Sequence, residues 1–227
     1  MQGLATRTAD LMPMPVPTMP VPAIPVPMPV PTRFQSIKLA DSSREQMLSM
    51  ASMLVSLVDL RDCYTGGHST RVAEYTHRIA LEMGLSDEET EMMLLAASLH
   101  DVGKIGVPDH ILLKPGRLTD DEFEYIKKHS EFGWMVLRTL EGFEEPSLVL
   151  LHHHERFDGG GYPGQLSGTR IPLGARIVAV ADAYDAMTTN RPYRKCRSHE
   201  EAITEIVRCA KTQFDANVVD AFVQSFR

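Results

Sequence analysis

Apolar residues recur at helical spacing over most of the chain beyond residue 41, whereas the alternation typical of strands is rare. Four of the helical patterns open with a Ser or Thr followed three residues later by Glu. In such a capping box the two side chains satisfy backbone N–H groups that the first helical turn leaves free. The pairs are Ser42 with Glu45, Ser86 with Glu89, Thr119 with Glu122, and Ser198 with Glu201. The pattern predicts a mostly helical domain.

The first predicted helix covers roughly residues 42–62 and carries an apolar stripe along one side. An amphipathic helix must bury such a stripe against its own domain or against a second copy of the chain. Methionines at this spacing are more typical of packing than of a cofactor site. A homodimer is therefore one expectation from the stripe, which consists of Met47, Met50, Leu54, Leu57 and Val58.

The second predicted helix, residues 68–83, ends at Gly84 and contains two histidines that face opposite ways. At about 100° per residue, Val72 and Ile79 lie on the side of His68, whereas His77 lies about 180° away. We therefore expect His68 to face the core and His77 to face water. A core-facing histidine is structural unless other ligand-type residues join it.

Such residues follow in EMMLLAASLHDVGKIGVPD, residues 91–109, where apolar positions surround the helix almost completely. His100 and Asp101 should therefore end this helix inside the protein. A buried carboxylate needs a cation or several hydrogen-bond donors. Two interpretations remain open at this point: an internal ion pair with Lys104, or a metal ion shared with His100.

Two further polar groups point inward by the same periodicity. Asp182 follows a long apolar run in ARIVAVADAYDAM, where the valines allow a strand but the alanines and the length favour a helix. On a predicted helix over residues 120–140, His129 lies on the side of Ile126 and Val136. A shared metal centre explains all these residues together, and nitrogen and oxygen ligands without thiolate suit catalytic Mn²⁺, Fe²⁺, Ni²⁺ or Zn²⁺.

Composition narrows the class of protein. A net charge of −7 argues against a protein that coats a nucleic acid polymer. Three scattered cysteines without a CxxC fit a reducing cytoplasm, and no apolar run is long enough to span a membrane.

A proline-rich segment covers residues 12–32, MPMPVPTMPVPAIPVPMPVPT, where proline alternates with apolar residues. This pattern predicts a disordered, extended spacer or, alternatively, a ligand for a proline-binding groove.

Three segments in this order resemble the HD-GYP domain, a branch of the HD phosphohydrolase superfamily. They are the His-Asp pair at 100–101 within HDVGKIGVPDHILLKPGRLT (100–119), HHERFDGGGYP (153–163) and ADAYDAMTTNRPYR (181–194). The resemblance covers about residues 62–226. It implies an all-α HD-domain bundle and a metal-dependent enzyme that hydrolyses the bacterial second messenger cyclic di-GMP to pGpG or GMP. The chain then divides into a Pro-rich linker (1–33), an N-terminal helix (34–61) and the HD-GYP domain (62–227).

The resemblance also implies a role for individual residues. The implied metal ligands are His68, His100, Asp101, His129, His153, His154 and Asp182. HHER begins at His153, so His152 is an additional, structural histidine; three successive helical residues fan across about 200° and cannot all face one centre. Glu155 and Arg156 are expected to brace one another or the glycine-rich loop. Some family members have a Glu four residues before the first ligand, where this chain has Tyr64, so we expect two ions, Mn²⁺ or Fe²⁺ in the first place.

Substrate contacts are expected from residues around these ligands. Lys104 is placed to stabilise a phosphate oxygen, and Arg191 and Arg194 to grip the phosphates, with a solvated basic turn as the alternative for the two arginines. In the glycine-rich loop, Gly161 lets the backbone approach a phosphate and Tyr162 holds the loop. Asp185 is expected to assist proton transfer or to orient a ligand histidine.

Two other function classes stay open at this stage. One is a phosphohydrolase of the wider HD group that acts on another nucleotide, and the other is a catalytically silent receptor or interaction module for cyclic dinucleotides. Many family members follow a receiver or sensor domain, which this sequence does not contain. The activity is therefore expected either to be unregulated or to be controlled through a separate regulatory protein.

Overall fold

The computed structural model describes residues 49, 51–58, 61, 67–189 and 196–227. Over these residues the chain is helical and contains no β-strand, only an isolated bridge between Ala210 and Phe214. The predicted all-α architecture is confirmed. The α-helices are α1 (residues 51–58), α2 (His68–Glu82), α3 (Asp87–Leu99), α4 (Asp109–Leu112), α5 (Asp120–Lys127), α6 (His129–Leu137), α7 (Glu144–His152), α8 (Leu173–Thr188), α9 (His199–Arg208) and α10 (Ala216–Gln224), with 3₁₀ helices at Val102–Gly106 and Gly168–Arg170.

Helix starts follow the local sequence closely. The capping boxes at Ser86, Thr119 and Ser198 are all formed, with the side-chain oxygen accepting from the N–H three residues on and the Glu carboxylate accepting in return. The box predicted at Ser42 lies outside the described residues. Capping is local chemistry, so it can be predicted without knowledge of the tertiary structure.

The core lies where α2, α3 and α8 pack together, with α7 against α3 and α8, and α10 closing the other side. Val72 and Ile79 of α2 are fully buried, as predicted, and His68 is 4% exposed while His77 is exposed. Helix α8 spans the segment for which a strand was the alternative, and its apolar residues, among them Ile177, Val178 and Val180, are fully buried.

The predicted helix over residues 120–140 is wrong, because the structure has two helices that part at Lys128. The His129 ring donates to the carbonyl of Ile126 at 2.7 Å and the Ser130 hydroxyl donates to that of Lys127 at 3.0 Å. Side-chain donors thus occupy carbonyls that would accept from the next helical turn. Periodicity alone does not reveal this competition.

The apolar stripe of the first helix is only partly covered. Val58 is buried, Leu54 is half-buried and Leu57 is 47% exposed, while Met47 and Met50 lie outside the described residues. Arg61 anchors this part of the chain: its guanidinium donates to the carbonyls of Lys104, Ile105 and Val107 and to Asp109. None of the described helices combines the length and the apolar character that crossing a bilayer requires.

Candidate metal centre and the adjoining loop

The candidate centre begins where α3 ends, inside the protein. His100 follows the last residue of α3 and is 1% exposed, and Asp101 is 7% exposed. The 3₁₀ helix after Asp101 packs against the start of α6 so closely that a Cβ on Gly103 would lie 1.8 Å from the His129 carbonyl oxygen. Only glycine permits this approach, which brings Asp101 beside His129.

Backbone carbonyls fix the orientation of three histidines in the same way. The Nδ1 atoms of His100, His129 and His153 each donate to the carbonyl three residues earlier, at 2.7, 2.7 and 2.6 Å. Since a carbonyl only accepts, Nδ1 carries the proton and the lone pair of the neutral ring lies on Nε2. All three histidines therefore present Nε2 as an acceptor.

These acceptor atoms converge on one another. The Nε2 atoms of His68 and His100 are 3.3 Å apart, and those of His129 and His153 are 3.4 Å apart. Two lone pairs at this distance repel and form no hydrogen bond unless a proton or a cation lies between them. The arrangement fits a cation.

His68 is oriented from the opposite side by a carboxylate. Its Nδ1 donates to Asp185 Oδ2 at 2.7 Å, and Arg71 Nε donates to Asp185 Oδ1 at 2.5 Å. Asp185 is 1% exposed. A carboxylate behind a histidine is the usual means of fixing the tautomer and orientation of a metal ligand.

Two carboxylates face the imidazoles. Asp101 Oδ2 lies 3.4 Å from His100 Nε2 and 3.7 Å from His68 Nε2, while its other oxygen lies 3.6 Å from His129 Nε2. Asp182 Oδ1 lies 3.4 Å from His68 Nε2. Asp101 thus stands between two sets of histidines.

The described residues form two groups with the donor set of a metal site: His68, His100 and Asp101, which we call the first group, and His129, His153 and His154, the second group. In each group one ligand atom per residue lies within 4.8 Å of the others. Ligand atoms bonded to one ion at about 2.1 Å lie roughly 3.0–3.4 Å apart. The separations within the first group, 3.3–3.7 Å, and the 3.4 Å between His129 and His153 are close to that spacing, so these residues fit divalent ions.

The two groups differ in their protonation. Burial lowers the pKa of His153 well below its usual range, and burial with the neighbouring His129 lowers the pKa of His154 to about 4. Burial also acts to lower the pKa of His68, but the hydrogen bond to Asp185 and the charges of Asp182 and Asp101 raise it above its ordinary value. Burial would raise the pKa of Asp101, but Lys104 and the facing histidines hold it well below its usual range.

Lys104 and Asp101 form an ion pair with Nζ 2.7 Å from Oδ2. The sequence left two interpretations of Asp101 open, an ion pair with Lys104 or a metal site shared with His100. In the structure Asp101 pairs with Lys104 and also lies among the histidines. Lys104 is partly exposed, so its charge also reaches the edge of the centre. Arg61 holds the backbone of this segment from outside, because it donates to the Lys104 carbonyl at 3.0 Å.

The residues after His153 form a loop built around a buried carboxylate. Glu155 is 4% exposed and accepts from the backbone N–H groups of Gly164, at 2.6 Å, and Leu166, at 3.2 Å. His152 lies 3.4 Å from the same carboxylate and belongs to neither group of candidate ligands. Arg156 pairs with Asp158. The sequence left open whether Glu155 and Arg156 brace one another or the glycine-rich loop. The structure shows that both contact the loop.

Gly161 and Tyr162 place the loop against the second group. A Cβ on Gly161 would lie 2.3 Å from the backbone nitrogen of Arg156, so the loop folds back on its own chain only with glycine there. The Tyr162 ring lies 4.9 Å from the His154 ring, centroid to centroid. Glycine is therefore required here for backbone packing, which the sequence motif by itself does not reveal.

Some expectations lie outside the described residues: Arg191 and Arg194, expected at the substrate phosphates, and Tyr64, on which the number of ions depends. Conversely, Arg71 and Arg61 were missed in the sequence analysis. Arg71 follows His68 by almost one helical turn, so a shared helix face was predictable for these two residues. Arg61 contacts residues more than 40 positions away, which no local pattern indicates.

Comparison with known proteins identifies the family of the chain. The HD domain family matches residues 45–218. A cyclic di-GMP phosphodiesterase of Thermotoga maritima is 42% identical over 78% of this chain and 49% of that protein. The 3'3'-cGAMP-specific phosphodiesterase 2 of Vibrio cholerae is 35% identical over 84% of this chain and 37% of that protein. The chain thus spans half the length of these relatives or less.

The fold is also found in solved structures. A cyclic GMP-AMP-specific phosphodiesterase of Vibrio cholerae superimposes with a TM-score of 0.61, at 22% identity, over 77% of this chain and 48% of that one. Family match and fold agree with the resemblance of the sequence motifs, and the chain belongs to the HD domain family.

Proposed function

We propose that the chain is a metal-dependent phosphodiesterase that hydrolyses cyclic di-GMP to pGpG, to GMP or to both. The observation that carries the proposal is the convergence of four Nε2 lone pairs on two carboxylates inside the bundle, next to a glycine-rich loop. The name of the Thermotoga maritima relative supports cyclic di-GMP as the substrate. The match covers only 49% of that relative, so the activity of this chain is proposed and not carried over from it.

The proposed ligands, which would hold two ions, are those of the first and second groups together with Asp182, and Asp101 faces histidines of both groups. Mn²⁺ or Fe²⁺ are proposed first, and Ni²⁺ or Zn²⁺ next. When bound, such a pair supplies an activated water near neutral pH and neutralises charge on the phosphoryl group. Asp185 holds the proton on Nδ1 of His68, so that Nε2 remains available.

The remaining residues are proposed to bind the substrate. Lys104 offers a positive charge at the edge of the centre, where it stabilises a phosphate oxygen. Gly161 and Tyr162 place the glycine-rich loop beside His154, where the loop backbone can approach a phosphate of the substrate. Arg191 and Arg194 stay sequence-based predictions for the outer phosphates, as paired donors.

A specific observation favours a second candidate substrate. The relative named as specific for 3'3'-cGAMP is 35% identical over most of this chain. We therefore propose this mixed cyclic dinucleotide as the second candidate substrate. A silent receptor is less well supported, since each ligand position of the sequence motifs holds a metal-binding residue.

The organisation of the protein around the site is proposed as follows. The HD-GYP domain begins near residue 62, after a Pro-rich linker over residues 1–33 and a helix over residues 34–61, and acts in the cytoplasm. The exposed side chains of Met53 and Leu57 on α1 support a homodimer or a regulatory protein partner. Sedimentation velocity with Leu57→Glu beside the unchanged chain tests the dimer, which the variant should dissociate.

Product chromatography tests the function directly. The purified chain, loaded without oxygen with Mn²⁺ or with Fe²⁺, is incubated with cyclic di-GMP and, separately, with 3'3'-cGAMP. We expect a linear product from cyclic di-GMP and no product after chelation of the metal. Turnover of the mixed dinucleotide alone would move the assignment to the second candidate. Binding of either ligand without any product would support the receptor.

A further inference from the structure

An exposed aromatic residue stands one helical turn from a lysine on α5, the helix that leads to His129. Phe123 is 48% exposed, and Lys127 Nζ lies 5.0 Å from the centre of its ring. The same Nζ lies 5.4 Å from the centre of the Tyr162 ring. Lys127 therefore lies between an outer ring on α5 and the ring of the glycine-rich loop.

This row of side chains is continuous with the candidate metal centre. Tyr162 is 4.9 Å from His154, which belongs to the second group, and Lys127 follows Tyr162 on the outer side. The row thus runs from the reacting end of the site to the surface through His154, Tyr162, Lys127 and Phe123.

Packing of the protein itself does not account for Phe123. Helix α5 has no buried residue, and nearly half of the Phe123 surface is open to solvent. Lys127 also pairs with Glu124, itself 66% exposed at the side chain, which holds the ammonium group over the two rings. An exposed aromatic face next to a held cation suits a ligand with a flat ring and a negative charge.

We propose that Phe123 is a stacking platform for one base of a cyclic dinucleotide and that Lys127 contacts the phosphate that is not being cleaved. The inference rests on the proposed function, which supplies a substrate with two bases and two phosphodiesters. Every base has a flat π-face, so stacking contributes affinity with little preference for sequence. Phe123 and Lys127 determine how tightly the substrate is held, and the chemistry takes place at the metal centre.

The test measures binding of cyclic di-GMP by calorimetry and turnover by chromatography on the full, metal-loaded chain. Phe123→Ala should weaken binding about 10-fold, with metal content unchanged. Phe123→Trp should restore binding, whereas Phe123→Leu, which is apolar but not aromatic, should not.

The matched control for charge is the neighbouring lysine. Lys127→Met should weaken binding and reduce its salt dependence, whereas Lys128→Met should leave both unchanged, because Lys128 Nζ lies over Tyr125 at 5.2 Å. Unchanged binding in Phe123→Ala, or rescue by leucine, overturns the platform. Absence of binding by the unchanged chain overturns it together with the proposed function. Binding without turnover overturns the proposed function alone.

Discussion

The two groups of candidate metal ligands are held by different physical means. In the first group Asp101 pairs with Lys104, and His68 is oriented by Asp185, which Arg71 holds in turn. In the second group all three side chains are imidazoles, and two of them are held by backbone carbonyls within the same helical turn. Charged side chains thus orient His68 and Asp101 in the first group, where a backbone carbonyl holds only His100, whereas no carboxylate belongs to the second group.

The difference is visible in the protonation of the histidines. The pKa of His68 is raised, mainly by the Asp185 hydrogen bond working against burial, whereas burial lowers the pKa values of His129 and His153. A group with a carboxylate favours a hard ion such as Mn²⁺, and a group of imidazoles favours a softer one. The comparison therefore predicts two ions of unequal affinity.

The largest expected effect comes from the two adjacent histidines at the end of α7. His153→Ala should lower turnover at least about 100-fold and reduce the metal content, because it removes an imidazole from the second group. His152→Ala should change neither, since His152 contacts the Glu155 carboxylate. Metal analysis and turnover of the two proteins provide the measurement, and equal behaviour would show that the motif begins one residue earlier.

The next effect separates the two groups. Asp185→Asn keeps the shape of the side chain but weakens its hold on His68, so the affinity of the first group for metal should fall about 10- to 100-fold. The second group should be unaffected. Metal titration by calorimetry shows whether one step or both are weakened. Asp215→Asn, which alters a buried pair with Arg176 away from the centre, is the matched control.

A third prediction concerns protons. A raised pKa keeps more of His68 protonated near neutral pH, so an ion entering the first group displaces a proton and binds more tightly as the pH rises. His153 and His154, with lowered pKa values, are already neutral and release none. Calorimetry in buffers of different ionisation enthalpy counts the protons. Equal release at both steps would remove the distinction between the groups.

The smallest effect lies outside both groups. Arg61→Ala removes the donors that hold the backbone after Asp101, so the free energy of unfolding should fall by about 1–3 kcal/mol. Chemical denaturation measures this loss. Arg208→Ala, at an exposed pair with Glu205, should leave the free energy of unfolding nearly unchanged. A loss of stability in the control as large as in Arg61→Ala would contradict a specific anchor.

The helices were predictable where the decisive contacts are local. Three capping boxes, the end of α2 near Gly84 and the opposite orientations of His68 and His77 follow from residues within a few positions of one another. The division at Lys128 was missed because side-chain donors compete for carbonyls there, and periodicity does not record such competition.

For the site, the sequence determined which chemical groups face inward, because helical periodicity assigns each side chain to a buried or an exposed face, and motif order identified the family. Tertiary structure alone decided which of these groups meet: Asp185 is 117 positions from His68, and Arg61 is 43 from Lys104. Contacts over such separations depend on how whole helices pack. The sequence therefore specified the ligand types, and the packing of α2, α3, α6, α7 and α8 specified the centre.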